Sequence, residues 1–336
     1  MNYLKISTVC GDMMMTDFNR RRALCASWLA FAVPNVWAQA GAAVSKIIVP
    51  FAAGGARELP ARTIQNELSK ELGQNWIIEA RPGAGGAMGT VQVAHAAPDG
   101  KTLLMAASSH FVTAALGSKP SYDPVKDFIP VANIGNQSYV LMVGSAVPVR
   151  SVAELIAYAK TRPDALNYNS AGIGSSTHLA MAYFTQSADI KMLHVPYKGT
   201  QEAVNDVIGG QSQAVMVPTA GVEKYLQEPR LRVLALTAKR RSALLPQLPT
   251  VSESGLPNFV FDSWFGLLAP AGTPMLVVEK INAAVNKVIQ IPEVQSKLHK
   301  LGMVTGQQSQ KSFSQQFLAD HVLMTKIVKL TNLSAD

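Results

Sequence analysis

Residues 46–72, KIIVPFAAGGARELPARTIQNELSKEL, contain the pattern that decides the fold. The apolar run Lys46–Phe51 predicts a buried strand, and a glycine-rich loop follows it. A helix is predicted over Leu59–Leu72, because Ile64, Leu68 and Leu72 recur every four positions as in an amphipathic helix, and Gly73 predicts its end. The stretch is therefore strand, loop and helix, the repeating unit of α/β proteins.

The same unit recurs along the chain. Further strands are predicted over 76–79, 102–106, 139–143, 165–169, 192–195, 214–217, 231–237 and 261–269. Further helices are predicted over 87–96, 176–186, 200–209, 274–289 and 292–301, after Ser151 and from Ser312. Because strands alternate with helices, the sequence predicts a parallel sheet.

Composition sets the broad class of protein. The 336 residues are 48% hydrophobic and 15% charged, which excludes a disordered or collagen-like chain. Domains contain about 150 residues on average, so a chain of 336 residues predicts two domains. Since no low-complexity linker is evident, we expect the chain to cross between them more than once, as in a hinge.

The first forty residues follow the pattern of an export signal. Arg20–Arg22 precede an apolar run from Ala23 to Ala38, and Ala38-Gln39-Ala40 places small residues where a signal peptidase cuts. The run is too short to span a bilayer. We therefore expect cleavage near Ala40 and an exported protein that takes the general secretory or the twin-arginine route. A buried N-terminal helix is the competing interpretation.

Cleavage would change both the charge and the thiol content. The leader holds four basic and two acidic residues together with Cys10 and Cys25, so the mature chain has 26 basic and 20 acidic residues and no cysteine. This excludes disulfides, a cysteine nucleophile and a thiolate metal site. The surplus basic residues are scattered, which argues against nucleic acid as a partner and favours small anions.

Three loops rich in glycine or serine follow predicted strands and open predicted helices. They are FAAGGA at 51–56, RPGAGGAMG at 81–89 and NSAGIGSSTH at 169–178. Backbone N–H groups at helix starts attract anions, so each loop is a candidate anion site. The competing interpretations are a tight turn in the first loop, a salt bridge of Arg81 in the second, and simple N-caps at Ser175–Thr177 in the third.

Spacing disfavours enzymatic, cofactor and metal sites. The 81–89 loop lacks the small residue and the later acid of a dinucleotide fingerprint. The 169–178 segment does not fit the G-x-S-x-G elbow, so a hydrolase that uses Ser175 and His178 is a minor alternative. Dispersed histidines and the lack of a His–carboxylate motif predict no metal ion, and no cofactor is expected.

Eight motifs together resemble the Bug family, the periplasmic solute receptors of tripartite tricarboxylate transporters, and the resemblance covers nearly all of residues 46–336. Their order and spacing fit the family throughout. The motifs are IVPFAAGG at 48–55, LSKELGQ at 68–74, RPGAGGAMG at 81–89, PDGKTLL at 98–104, YNSAGIGSSTHLA at 168–180, HVPYKGT at 194–200, LPTVSESG at 248–255 and WFGLLAPAGTP at 264–274.

The resemblance implies an α/β, two-lobed periplasmic-binding-protein fold of the Venus-flytrap, type II-like kind, with a hinge of crossing strands. Lobe one would comprise 44–144 plus 262–336, and lobe two 145–261. A small carboxylate would be held between the lobes, largely by main-chain amides and hydroxyls. The ligand-binding residues implied in this way are Phe51, Ala53, Gly54, Gly55, Glu58, Ser108, Ser109, His110, Gly172, Gly174, Ser175, Ser176, Thr177 and His178, with Tyr197 and Lys198 as further wall residues.

Two segments depart from the family pattern. After the paired glycines the family usually has two variable residues and an aspartate, whereas this chain has Arg57 and then Glu58 at the acidic position. Where many relatives end a strand with an acid, this chain reads QAVMVPT at 213–219. The missing acid removes a partner for an ammonium group, so we expect a mono- or dicarboxylate without an amine.

The resemblance also implies a function without catalysis. The protein is expected to capture a small organic carboxylate by lobe closure and to deliver it to a tripartite tricarboxylate-type transporter in the membrane. The alternative is an adaptor that reports the same ligand to a membrane sensor kinase. A monomer suffices for either function.

Overall fold

Ten strands in the described part of the chain join in one sheet, and helices pack against it. The computed structural model describes residues 44–51, 53, 57–116, 122–242 and 245–330. The predicted export signal and two glycines of the first loop, Gly54 and Gly55, lie outside these residues. From Val44 onward the described residues belong to one compact unit.

The elements follow the predicted alternation. The strands are β1 (Ser45–Val49), β2 (Trp76–Ala80), β3 (Thr102–Ala107), β4 (Phe128–Gly144), β5 (Asn167–Ser170), β6 (Leu193–Pro196), β7 (Ala214–Pro218), β8 (Leu231–Leu236), β9 (Asp262–Pro270) and β10 (Met303–Val304). The helices are α1 (Leu59–Leu72), α2 (Ala87–Ala94), α3 (His110–Leu116), α4 (Val152–Lys160), α5 (Ser176–Ser187), α6 (Thr200–Ile208), α7 (Glu223–Leu226), α8 (Met275–Val288), α9 (Pro292–Lys300) and α10 (Gln310–Leu330). The short helices α3 and α7 and the strand β10 were not predicted.

The sheet is mixed, so the prediction of a parallel sheet is wrong for β4, β8, β9 and β10. The strand order is β2-β1-β3-β9-β4-β7-β5-β6, and β8 and β10 also pair with β4. β1 is parallel to β2 and β3, and β5 is parallel to β6 and β7, whereas β4 and β9 are antiparallel to their neighbours. The reason is topological: β4 and β9 carry the chain between the two halves of the sheet in opposite directions.

The strand β4 joins the two halves of the sheet. Its first half pairs with β9 and its second half with β7 and β8, so one 17-residue strand belongs to both halves of the sheet. The sequence predicted only 139–143. Pro130 and Gly135 interrupt the first half, and the pairing with β9 shifts register next to each of them, so this half lacks the usual apolar alternation.

Apolar packing covers the sheet on both faces. Ile48 lies in one buried cluster with Phe111 and Trp264, whereas its neighbours Ile47 and Val49 lie in another. Successive strand residues point to opposite faces, so both faces of β1 are buried. Continuous apolar runs are typical of such strands, and this explains why β1 and β3 were predicted almost residue for residue.

Local capping signals explain where the helices begin and end. α1 has its predicted bounds and ends at Gly73, whose left-handed φ of 63° lets Gly73 and Gln74 N–H reach the carbonyls of the last turn. At α4 the Ser151 hydroxyl accepts the Glu154 N–H at 3.1 Å, as predicted. The Glu154 carboxylate accepts from the Arg150 N–H at 2.7 Å, one residue before the cap.

Candidate ligand-binding site

A cleft of about 310 Å³ opens where the two halves of the sheet meet. Its volume lies at the lower end of the range for small-molecule sites, about 300–1,000 Å³. Residues from β4, β9, the start of α1 and the start of α5 line it. The polar and aromatic side chains that matter below are Arg57, Ser109, Tyr139, Ser176, Ser263 and Phe265.

Arg57 gives one wall of the cleft its charge. Its Nη1 donates to the Ser109 hydroxyl at 2.6 Å, and its Cζ lies 4.1 Å from the centre of the Phe51 ring. Burial lowers the pKa of Arg57, with a smaller opposing effect from Tyr139. Because the ordinary pKa of arginine is so high, the guanidinium stays a cation. We call Arg57, Ser109 and Phe51 the charged wall.

A smaller cavity of about 20 Å³ adjoins the charged wall, and His110 lines it. The His110 Nε2 lies 3.0 Å from the Pro124 carbonyl oxygen, so the neutral ring donates there. Burial among aromatic rings lowers the pKa of His110 to about 4. His110 is therefore uncharged at neutral pH and supports the wall from behind.

The loop Ala171–His178, which we call the amide wall, reaches the cleft through Ser176. Several of its main-chain donors find acceptors within the loop. The Ala171 N–H bonds the Thr177 hydroxyl at 2.8 Å, the Gly174 N–H bonds the His178 Nδ1 at 3.2 Å, and the Ser175 hydroxyl caps α5 by accepting the His178 N–H at 3.2 Å. The N-cap interpretation of Ser175 is thus correct. Ser176, the first residue of α5, lines the cleft.

Two stacked imidazoles support the amide wall. The rings of His178 and His194 lie 3.7 Å apart at an angle of 12°, and His194 Nε2 contacts the Ser170 hydroxyl at 2.7 Å. Burial lowers the pKa of each histidine to about 4, and for His178 the neighbouring His194 adds to the effect. Both rings are therefore neutral at physiological pH.

This geometry contradicts a hydrolytic role for Ser175. The Ser175 hydroxyl accepts the main-chain N–H of His178, while the imidazole Nδ1 of His178 accepts from Gly174. A serine nucleophile needs its hydroxyl hydrogen-bonded to a base, and these contacts use the relevant atoms for capping instead. Within the described residues no group of three or more His, Cys, Asp or Glu side chains is placed to hold a metal ion.

Comparison with known proteins identifies the family. The sequence profile described as "Tripartite tricarboxylate transporter family receptor" matches residues 60–333. The chain belongs to this family. The family is one of solute-binding receptors, as the Bug-family resemblance implied. Among the described residues, no helix is both long enough and apolar enough to cross a membrane.

Individual relatives agree with this assignment. A protein from the tcbD–tcbE intergenic region of Pseudomonas sp. (strain P51) is 32% identical over 335 residues, covering 98% of this chain and 99% of that protein. The structure of R. palustris Rpa4515 with adipate has a TM-score of 0.71 at 31% identity, covering 87% of this chain and 98% of the other. MatC from Rhodopseudomonas palustris with bound malate has a TM-score of 0.68 at 32% identity, covering 85% and 98%. The predicted periplasmic-binding-protein fold is confirmed.

The receptor brings only part of the predicted site together. Ser109 and Ser176 line the cleft, and Phe51 and His110 line the adjoining small cavity. Ala53 is exposed in a turn, while Gly54 and Gly55 lie outside the described residues. The other predicted residues line neither cavity among the described side chains; they are Glu58, Ser108, Gly172, Gly174, Ser175, Thr177, His178, Tyr197 and Lys198.

Several of these residues have a definite structural role in the receptor. The buried Glu58 carboxylate is ion-paired with Arg62 one turn along α1. The Ser108 hydroxyl donates to the Ser263 hydroxyl at 3.0 Å and accepts the Trp264 N–H at 3.1 Å, which holds β3 to β9 and orients Ser263 towards the cleft.

The two further wall residues point elsewhere. The pKa of the Tyr197 hydroxyl is raised, mainly by a hydrogen bond to Asp206. Because Asp206 belongs to α6, the Tyr197 side chain contacts that helix. Lys198 is exposed, and its main-chain N–H donates to the Glu202 carboxylate at 3.2 Å. Neither residue lines the cleft of the receptor as it stands.

Tyr139 and Ser263 were missed at the sequence level. Tyr139 is buried in β4, and burial raises the pKa of its hydroxyl, with smaller opposing effects from bonds to Ser176 and Ser263 and from the charge of Arg57. It therefore connects both walls. The sequence did contain a signal for Tyr139. It is the first residue of the predicted apolar strand 139–143, and its hydroxyl is the one polar side-chain group in that strand.

Proposed function

We propose that this receptor captures a small organic carboxylate in the 310 Å³ cleft. The observation that supports this most is a guanidinium, Arg57, in a cleft that also presents the hydroxyl groups of Ser109, Ser176 and Ser263. Hydrogen bonds between charged partners contribute about 1.5–3 kcal/mol each, so a few of them reach the roughly −8 kcal/mol of micromolar binding. Relatives solved with adipate and with malate support the same ligand class.

We also propose that binding closes two lobes on the ligand. Lobe one would be 44–144 plus 262–336 and lobe two 145–261. The strand pairing supports this division, because β1, β2 and β3 lie on one side of the pair β4 and β9, and β5, β6 and β7 on the other. Two crossing segments favour a hinge motion over independent tumbling. Closure would expel water and strengthen the contacts with the anion.

Export and delivery complete the proposal. Cleavage near Ala40 would release the mature receptor into the periplasm, and the membrane components of a tripartite transporter would take the ligand from it. N-terminal sequencing of receptor isolated from the periplasm tests the cleavage position. Deletion of the gene separates the two possible partners: lost carboxylate uptake supports a transporter, and a lost transcriptional response with intact uptake supports a sensor kinase.

Calorimetric titration of receptor purified from the periplasm tests the ligand class. The panel comprises the monocarboxylates acetate to hexanoate, the dicarboxylates malonate to adipate, and malate and citrate, with the amides of the tightest acids as matched neutral controls. We expect at least one acid to bind with a Kd of about 1 μM or less, or −8.2 kcal/mol, and its amide to bind far more weakly. Absence of binding by every acid, or equal binding of acid and amide, contradicts the proposal.

A further inference from the structure

Arg57 stands out among the basic residues by its environment. Exposed arginines such as Arg62, Arg81, Arg230 and Arg241 form ion pairs with carboxylates. The other half-buried arginine of the described residues, Arg232, donates to the main-chain carbonyls of Val147 and Val149. For Arg57 the structure shows no carboxylate at ion-pair distance within the described residues. A partly buried cation that lacks an acidic partner has lost hydration without full compensation.

The surroundings of Arg57 are suited to an anion from outside the chain. No acidic side chain lines the cleft among the described residues, and Lys300 at its edge adds a second positive charge. The Phe51 ring covers one face of the guanidinium, and the bond to Ser109 fixes its orientation. Guanidinium has five N–H donors, and Ser109 is the one hydrogen-bond acceptor it contacts in the described part of the chain.

The cleft also offers donors without charge. Ser176 and Ser263 present hydroxyl groups to it, and the buried Tyr139 hydroxyl contacts both of them and lies within the electrostatic influence of Arg57. A ligand in the cleft therefore meets both a cation and neutral hydrogen-bond donors. A planar guanidinium matches the two oxygens of a carboxylate, so its contact is both strong and geometrically specific.

We propose that Arg57 binds one carboxylate of the ligand and thereby makes the receptor select dicarboxylates over monocarboxylates of the same chain length. This inference rests on the proposed carboxylate-binding function. The second carboxylate faces the hydroxyl groups of Ser176 and Ser263. A monocarboxylate leaves one end of the cleft with unsatisfied donors, which costs affinity because those groups lose hydration without gaining a partner.

Paired ligands and paired variants test the assignment by calorimetry. Adipate and hexanoate share a six-carbon chain and differ by one carboxylate, as do succinate and butyrate. We expect the wild type to prefer the diacid in at least one pair by about tenfold or more. In Arg57→Gln the diacid should lose about tenfold or more in affinity, because one of its two carboxylates loses its partner. The monoacid should lose about threefold or less, because its single carboxylate can still bind the hydroxyl groups of Ser176 and Ser263. Arg57→Lys retains the positive charge but lacks the planar guanidinium that donates to both oxygens of a carboxylate. It should therefore recover part of the preference for the diacid over the monoacid.

Arg241→Gln is the matched control, because it removes the same charge from an exposed ion pair with Glu253. It should leave both affinities unchanged. Circular dichroism establishes whether each variant is folded. If Arg57→Gln is not folded, the affinities of Arg57→Lys are used for the test instead. Equal binding of diacid and monoacid by the wild type, or equal losses for both in the Arg57 variants, overturns the role of Arg57 and leaves the proposed function intact. A wild type that binds no acid of the panel overturns the proposed function itself.

Discussion

The two walls of the cleft are built on different principles. On the charged wall, a cationic side chain is held by one hydroxyl and one aromatic ring and lacks an acidic partner among the described residues. On the amide wall, three main-chain N–H groups of the loop 171–178 donate to Thr177, His178 and Ser175 of the same loop. The comparison indicates that one wall discriminates ligands by charge, while the other provides a rigid surface of fixed shape.

The largest expected effect on the amide wall comes from its backbone. Gly172 has a φ of 116°, and a Cβ added there would lie 3.2 Å from the Tyr197 carbonyl oxygen. Because this conformation is strained for other residues, Gly172→Ala should lower the free energy of unfolding by about 2 kcal/mol. Urea denaturation measures this change.

Gly306→Ala is the control for that experiment. A Cβ at Gly306 would meet no atom of the described residues within 4 Å, and the φ of Gly306 lies outside the left-handed range. We expect a change of about 0.5 kcal/mol or less in the free energy of unfolding. Equal destabilisation by both substitutions would show that the amide wall is not specifically strained by added side chains.

The histidine stack should make the amide wall sensitive to acid. Each imidazole has a folded-state pKa of about 4, below its unfolded value of about 6.5. The stability that the neutral rings contribute is therefore complete above pH 6.5 and is lost as the pH falls towards 4. After allowance for solvent screening, the unfolding free energy should drop by about 1–2 kcal/mol over that range.

His178→Asn provides the test, because an amide oxygen can still accept from the Gly174 N–H. Its unfolding free energy should fall less steeply between pH 6.5 and 4 than that of the wild type. His95→Gln, a substitution at the end of α2, is the matched control and should retain the wild-type slope. Identical slopes for all three proteins would exclude the stack as the source of acid sensitivity.

The smallest effect concerns the caps. Ser175 and Ser151 accept the N–H three residues ahead at 3.2 and 3.1 Å. Replacing either serine with alanine should cost about 1 kcal/mol of unfolding free energy. Only Ser175→Ala should also weaken carboxylate binding, by about threefold, because it loosens the amide wall beside the cleft. Equal affinities in the two variants would restrict Ser175 to a role in folding.

Local signals were enough to predict most elements of the fold. The bounds of α1 follow from apolar residues four apart and from Gly73, and the start of α4 follows from Ser151 and Glu154. Such signals lie within a few residues of the structure that they determine. The first half of β4 escaped prediction because Pro130, Gly135 and two register shifts in the pairing with β9 break its apolar alternation.

The candidate site was harder to predict. The charged wall depends on a contact between Arg57 and Ser109, which are 52 positions apart. The sequence identified both residues as notable but could not indicate that they touch. It also placed Glu58 in the site, whereas the short distance along α1 to Arg62 makes an internal ion pair the preferred arrangement.

Hydrogen–deuterium exchange with and without the tightest-binding acid tests the central claim most directly. A carboxylate bound between the walls should slow exchange in peptides from both the start of α1 and the loop 171–178, and Arg57→Gln should diminish the protection of both at the same ligand concentration. Protection confined to one wall, or to another surface such as the cavity of about 340 Å³ beside Tyr158 and Arg230, would contradict the account.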